Sequence, residues 1–159
     1  MVEFALILTP LMMILLGIMQ IALVLHAYVS IENAAREGAR EATIYLYDRT
    51  KTKLQNDEGR ANAARNGILA SMGVLSRTAP QFAGTGSWTA SGSTYTSGDV
   101  RITYSLPTGV TESDPRTGQY VRVQATYHLD LIIPFIAAML PHDASNRMTL
   151  TGDVTMVVN

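Results

Sequence analysis

MVEFALILTPLMMILLGIMQIALVLHAYVSIENAAREGAREATIYLY (1–47) decides the fold. From Phe4 to Leu25 it runs 22 residues without an Asp, Glu, Lys or Arg. About 20 apolar residues suffice to cross a bilayer, so the run is long enough to span one. It does not read as a secretory signal: the apolar core is too long, no basic region precedes it and no small-residue cleavage site follows. Glu3 stands alone at its head. A charge beside a span is costly and tends to be functional; the plainer reading leaves it solvated among headgroups.

The helical pattern outlasts the apolar run. Ala27, Ile31, Ala34, Gly38, Ala42 and Tyr45 recur at steps of three and four, which is one helix face. Glu32 and Arg36 form a favourable i,i+4 pair elsewhere on the surface. One helix from Phe4 to Tyr47 would be about 66 Å long at ~1.5 Å per residue, roughly twice the hydrocarbon thickness. Its second half must then leave the membrane and carry the rest of the chain. The small residues Ala34, Ala35, Gly38 and Ala42 form a seam for close helix packing, against either another helix or the chain's own head. Pro10 has no N–H for the Leu6 carbonyl, and with Gly17 it predicts a kink or local opening.

NAAREGAR (33–40) is echoed by NAARNGIL (62–69), two copies and therefore no repeat array. The second copy predicts an amphipathic helix over 58–76 with Ala61, Ala64, Ile68 and Met72 inward, after a polar connection at 48–59. From Gly84 to Gly98, eight of fifteen residues are Ser or Thr and four are Gly. That composition predicts an exposed loop or edge hairpin, with Trp88 pinning it and with hydroxyls open to O-linked sugars. Alternation at Val100–Leu106, Val121–Leu129 and Met148–Val158 then predicts three half-buried antiparallel strands. Turn signals stand at PTG (107–109) and DPRTG (114–118). LIIPFIAAML (131–140) predicts a short helix over the sheet, or else an apolar contact for a neighbouring subunit.

The net charge of −1 and the scattered basic residues argue against nucleic acid. No cysteine is present, which excludes disulfides and thiolate chemistry. His26, His128 and His142 lack ligand spacing, and no nucleophile elbow, Walker loop or dinucleotide fingerprint occurs. No metal, cofactor or catalytic residue is expected. His128 and Asp130 share a strand face and are the only start of a hydrolytic site.

The segment 1–43 resembles the N-terminal region of TadE-like pseudopilins of tight-adherence pilus systems. VEFAL leads into an apolar stretch with an early proline, and NAAREGAR follows about thirty residues on. YVRVQATYHLDLIIPFIAAMLP (120–141) with LTGDVTMVV (150–158) is similar to the family's closing strand, apolar segment and strand. The resemblance implies a type IV pilin-like subunit made with a short basic leader that a prepilin peptidase removes. Such a leader would reverse the orientation that Arg36 and Arg40 alone indicate, with the C-terminal part inside. Glu3 matches the family's assembly glutamate and Phe4 its apolar neighbour, although only two residues precede Glu3 where the family motif has four. Such a subunit waits in the cytoplasmic membrane and joins copies of itself in a surface filament, through assembly residues Glu3, Phe4, Pro10, Ile14, Gly17 and Ile18.

The expected architecture is therefore α+β, a pilin-like lollipop with a long protruding N-terminal helix, a second helix and a small antiparallel head sheet. Residues 1–47 form the helix, 1–26 as span and filament core and 27–47 packed on the head, and 48–159 form the globular head. Two other readings stay open: a single-span anchored extracellular binding module using the Ser/Thr-rich segment, and an anchored hydrolase at His128 and Asp130.

Overall fold

The computed structural model describes residues 2–73, 75–78, 87–109 and 116–159. Helix α1, Val2–Ile44, runs through Pro10 and Gly17 without interruption. The local opening expected there is absent. Pro10 removes a single rung from a 43-residue ladder, and its neighbours are Leu, Met and Ile that hold the helix well. The helix stops three residues short of Tyr47. Asp48 turns the chain by accepting from the Thr50 N–H at 2.9 Å and the Thr50 hydroxyl at 2.6 Å. The Asn56 side chain secures that turn, bonding both the N–H and the carbonyl of Asp48 at 2.9 Å.

Helix α2, Lys53–Met72, begins five residues earlier than the composition of 48–59 suggested. Thr52 and Gln55 form a reciprocal capping box, a T-x-x-Q signature that the polar run conceals. Gly73 ends it at φ 56, left-handed geometry suited to glycine. A short α3, Leu75–Thr78, follows. The helices α1 and α2 return antiparallel, and the sequence echo acquires a meaning in that pairing. A side chain at Gly38 would strike Ile68 and the Ala64 carbonyl, and one at Gly67 would strike Glu41 and the Glu37 carbonyl. The matching glycines of NAAREGAR and NAARNGIL thus each provide the notch into which the other helix fits. The expected inward set of α2 (Ala61, Ala64, Ile68 and Met72) is buried.

The sheet has five antiparallel strands in sequential order, two more than alternation alone indicated: β1 Thr89–Ser91, β2 Thr94–Ser97, β3 Val100–Ser105, β4 Tyr120–Asp130 and β5 Arg147–Val157. The extra pair is the Ser/Thr-rich edge hairpin, whose residues 84–86 lie outside the described residues, as do 114 and 115 of the second turn signal. Trp88 anchors it, its Nε1 donating to Asn62 Oδ1 of α2 at 2.8 Å. Strands β4 and β5 pair over eleven residues. Their apolar face meets the C-terminal half of α1, where Ile31, Ala34, Ala35, Ala39 and Ala42 are fully buried. A side chain on Gly152 of β5 would collide with the Ile31 backbone, so strand and helix touch there almost main chain to main chain. The outcome is an α+β lollipop, head around the second half of one long helix.

The β4–β5 connection holds the expected short helix, one turn, α4 Pro134–Ala137, and it reaches α1. Strand β4 runs out along the helix, so the residues that follow meet Gly17 and Gln20. The Ile132 N–H donates to Gln20 Oε1 at 3.1 Å, and Ile136 Cδ1 fills the place a Gly17 side chain would need.

Candidate functional site

The N-terminal half of α1 carries apolar surface with nothing over it. Phe4, Leu6, Ile14 and Ile18 are each at least 60% exposed, and Leu11, Leu15, Ile21 and Leu25 are close to half exposed or more. Leaving one such side chain in water rather than burying it forgoes about 1.5–3 kcal/mol. A run of them is the mark of a binding surface, because monomeric soluble proteins rarely expose large contiguous apolar patches. By length and composition α1 can cross a membrane, and its most apolar stretch is almost wholly bare, unlike the core helix of a soluble protein.

The sequence-predicted site residues separate into two groups. Glu3, Phe4, Pro10, Ile14 and Ile18 lie on the bare half, Glu3 exposed in the first helical turn where the helix dipole favours an anion. Ala34, Ala35, Gly38 and Ala42 are buried against α2 and the sheet of the same chain. The small-residue seam therefore holds the helix on its own head. Gly17 changes role as well: it is buried as a seat for Ile136.

Sequence reasoning missed two features. One is the contact of Gln20 with the β4–β5 connection; its signal was that Gln20 is the sole amide in the charge-free run. The other is a buried ionic cluster in the head. Arg116 donates twice to Asp57, Nε to Oδ1 and Nη2 to Oδ2, both at 2.7 Å, and once to Gln119 Oε1 at 3.1 Å. Tyr95 donates to Asp57 Oδ2 at 2.8 Å, and the guanidinium lies 4.1 Å from the Tyr104 ring centre. Burial, then the hydrogen bond to Asp57, push the Tyr95 phenol up to about 12. Burial works against the Arg116 charge, but the bonds and charge of Asp57 outweigh it and the pKa is raised. With every carboxylate oxygen engaged, this cluster is built to tie α2 to the sheet.

His128 and Asp130 do not assemble into a reactive pair. His128 Nε2 is 3.4 Å from Asp99 Oδ1 and its Nδ1 is 3.3 Å from Thr149 Oγ1, while Asp130 is exposed opposite Arg147. Among the described residues no three His, Asp or Glu side chains cluster as metal ligands would.

Residues 1–40 match the TadE-like protein family. The matched segment covers the bare half of α1 together with most of the seam. Comparison with curated proteins and with solved structures found no match. The match thus takes in both the surface of α1 that the head leaves free and most of the stretch that the head covers.

Proposed function

We propose that the chain is a pilin-like structural subunit, without catalytic activity, that polymerises through the TadE-like half of α1 into an extracellular filament serving adhesion or surface attachment. The observation that carries this reading is the division of one helix into a half locked into its own head and a half left bare. Residues 1–26 would occupy the cytoplasmic membrane first and the filament core later. Residues 27–47 stay on the head formed by 48–159. Lipid and neighbouring helices shield apolar side chains equally well, so assembly can exchange one for the other without wetting α1. A prepilin peptidase and a pilus assembly machinery are the implied partners.

Within that reading Glu3 sets the register. An unpaired carboxylate entering an apolar core is strongly penalised, and a positively charged N-terminal amine of a copy within reach offsets the penalty. Because buried ion pairs often break even, the gain is axial specificity more than stability. Glu3→Leu subunits should insert and fold but be excluded from fibres, and Ile14→Asp or Ile18→Asp should abolish fibres while the head folds. Fibres imaged by negative stain that contain Glu3→Leu subunits at the unaltered level would overturn the role of Glu3. A chain that binds a target while never polymerising would instead be an anchored binding module.

A further inference from the structure

The connection 131–140 contains no charged residue and shows its apolar side chains outward: Ile132 and Met139 are 73% and 71% exposed and Phe135 is 57% exposed. Its height along α1 is fixed by two contacts. Gly152, midway along β5, abuts Ile31; five residues earlier the strand begins at Arg147, opposite Asp130 and so beside the connection whose Ile132 and Ile136 meet Gln20 and Gly17. Five strand residues at ~3.3 Å and the eleven helix residues from Ile31 to Gln20 at ~1.5 Å both span about 17 Å, so strand and helix descend together.

That height lies inside the charge-free run. Only 13 residues separate Glu3 from Gly17, about 20 Å of helix, against a hydrocarbon layer of about 30 Å. Keeping the connection out of the membrane would require thinning the layer by a third or drawing the Glu3 carboxylate into it. The uncovered faces of α1 also remain apolar and bare above this level, at Ile18, Ile21 and Leu25. Whatever covers those residues reaches the connection beside them. Non-helical segments at membrane depth must have their polar groups satisfied within protein. Part of this backbone is: the Leu131 N–H donates to the Asn146 carbonyl, the Ala137 N–H to the Ile133 carbonyl, and the Ile132 N–H to Gln20, itself only 1% exposed. Charged residues resume at the rim, with Asp130 before the segment and Asp143 and Arg147 after it.

We propose that residues 131–140 are a second membrane-inserted element, which lowers Ile132, Phe135 and Met139 into the acyl-chain region beside α1 before assembly. This rests on α1 being a membrane span. The head then docks on the bilayer by a shallow apolar hook, which fixes its tilt and depth.

The absence of cysteine allows a direct test in the full chain. Phe135→Cys, Met139→Cys, Ile14→Cys and Thr151→Cys are labelled singly with an environment-sensitive fluorophore. Each is reconstituted in vesicles of phosphatidylethanolamine and phosphatidylglycerol and quenched by acyl-brominated lipid or by aqueous iodide. Labels at 135 and 139 should be quenched by brominated lipid as strongly as the label at 14. Their iodide quenching should be several-fold weaker than at 151. Iodide quenching at 135 and 139 equal to that at 151, with position 14 still quenched by lipid, overturns the hook and leaves the span standing. Labels at 135 and 139 shielded from both quenchers would mean that a second copy covers the segment, which also overturns it. Iodide quenching at 14 removes the span itself and the hook with it. Met139→Cys guards against a packing loss at Phe135, since that side chain is largely solvent-facing.

Discussion

Adding one methyl group at Gly152 tests the docking of helix on sheet. A Cβ there would sit 2.5 Å from the Ile31 carbonyl oxygen, 2.9 Å from its carbon and 3.0 Å from Ala35 Cβ. The shortest approach is roughly 0.9 Å inside ordinary van der Waals contact. The closest atoms are main chain inside a helix, so no rotamer relieves the clash and α1 must part from β5. A gap of about 0.5–1 Å forfeits a quarter to a half of each contact's attraction, and the loss is shared by Ile31, Ala34, Ala35 and Ala39, all fully buried. Overpacking typically costs about 1–3 kcal/mol. Gly152→Ala belongs at the upper end, about 3 kcal/mol. With a urea slope of ~2 kcal/mol/M for a small domain, the midpoint should fall by about 1.5 M. The assay is urea unfolding of the full chain in detergent micelles, followed by Trp88 fluorescence and far-ultraviolet circular dichroism. Gly17→Ala is the contrast. Its Cβ would meet only the Ile136 side chain, the terminal Cδ1 at 3.3 Å, which a small rotation can move aside, while helix propensity gains ~1 kcal/mol, so its midpoint should hold or rise. An unchanged midpoint for Gly152→Ala, or an equal fall for Gly17→Ala, would refute this account of the interface.

Asp57→Ala should destabilise the head by about 3–5 kcal/mol, because it strands the buried Arg116 guanidinium, whereas Asp57→Leu combined with Arg116→Met should recover much of the loss in the same urea titration. The phenol of Tyr95 keeps its proton to about pH 12 when folded but loses it near 10.0 when unfolded. Between those values the unfolded chain binds fewer protons, so stability is full below pH ~10 and drains as pH rises, by on the order of 2–3 kcal/mol. Thermal melts against pH should show this alkaline slope, and Tyr95→Phe should make it shallower, the buried Tyr104 phenol, also raised by burial, keeping its own share. Asn62→Ala should release Trp88 and red-shift its emission while lowering stability by only ~1 kcal/mol, since one hydrogen bond at the surface is lost.

What could be read in advance followed from periodicity. The inward positions of α1 at Ala27, Ile31, Ala34 and Ala42 and those of β4 at Val121, Val123, Ala125 and Tyr127 are all buried, because a half-covered helix or strand must repeat its apolar residues at the period of its own geometry. The start of α2 was also written, in Thr52 and Gln55, but beneath a polar composition that reads as loop. The hairpin β1–β2 lies at the sheet edge, where little is buried beyond Tyr95, so alternation had almost nothing to record. The Asp57–Arg116 pair joins residues 59 apart, and the seat of Ile136 on Gly17 joins residues more than a hundred apart. No local pattern encodes such pairings. They emerge only when β4 is laid along α1, and the surface features of the candidate site depend on them.

The continuity of α1 has a mechanical consequence. A helix that is at once foot and spine is a tie rod, and a pull on the head travels down it. Beside the head the load divides, because α1 is clamped along its length by α2 and by the eleven paired residues of β4 and β5. Below Gly17 the rod is single, and at Pro10 it lacks the rung that would bind the Leu6 carbonyl. That turn is the compliant one. Under tension it should yield before the head does, each residue lengthening from ~1.5 Å of helix towards ~3.3 Å of extended chain. A subunit drawn taut would thus pay out length at its foot and keep its head intact. Single-molecule pulling on Pro10→Ala should find that first extension displaced to higher force.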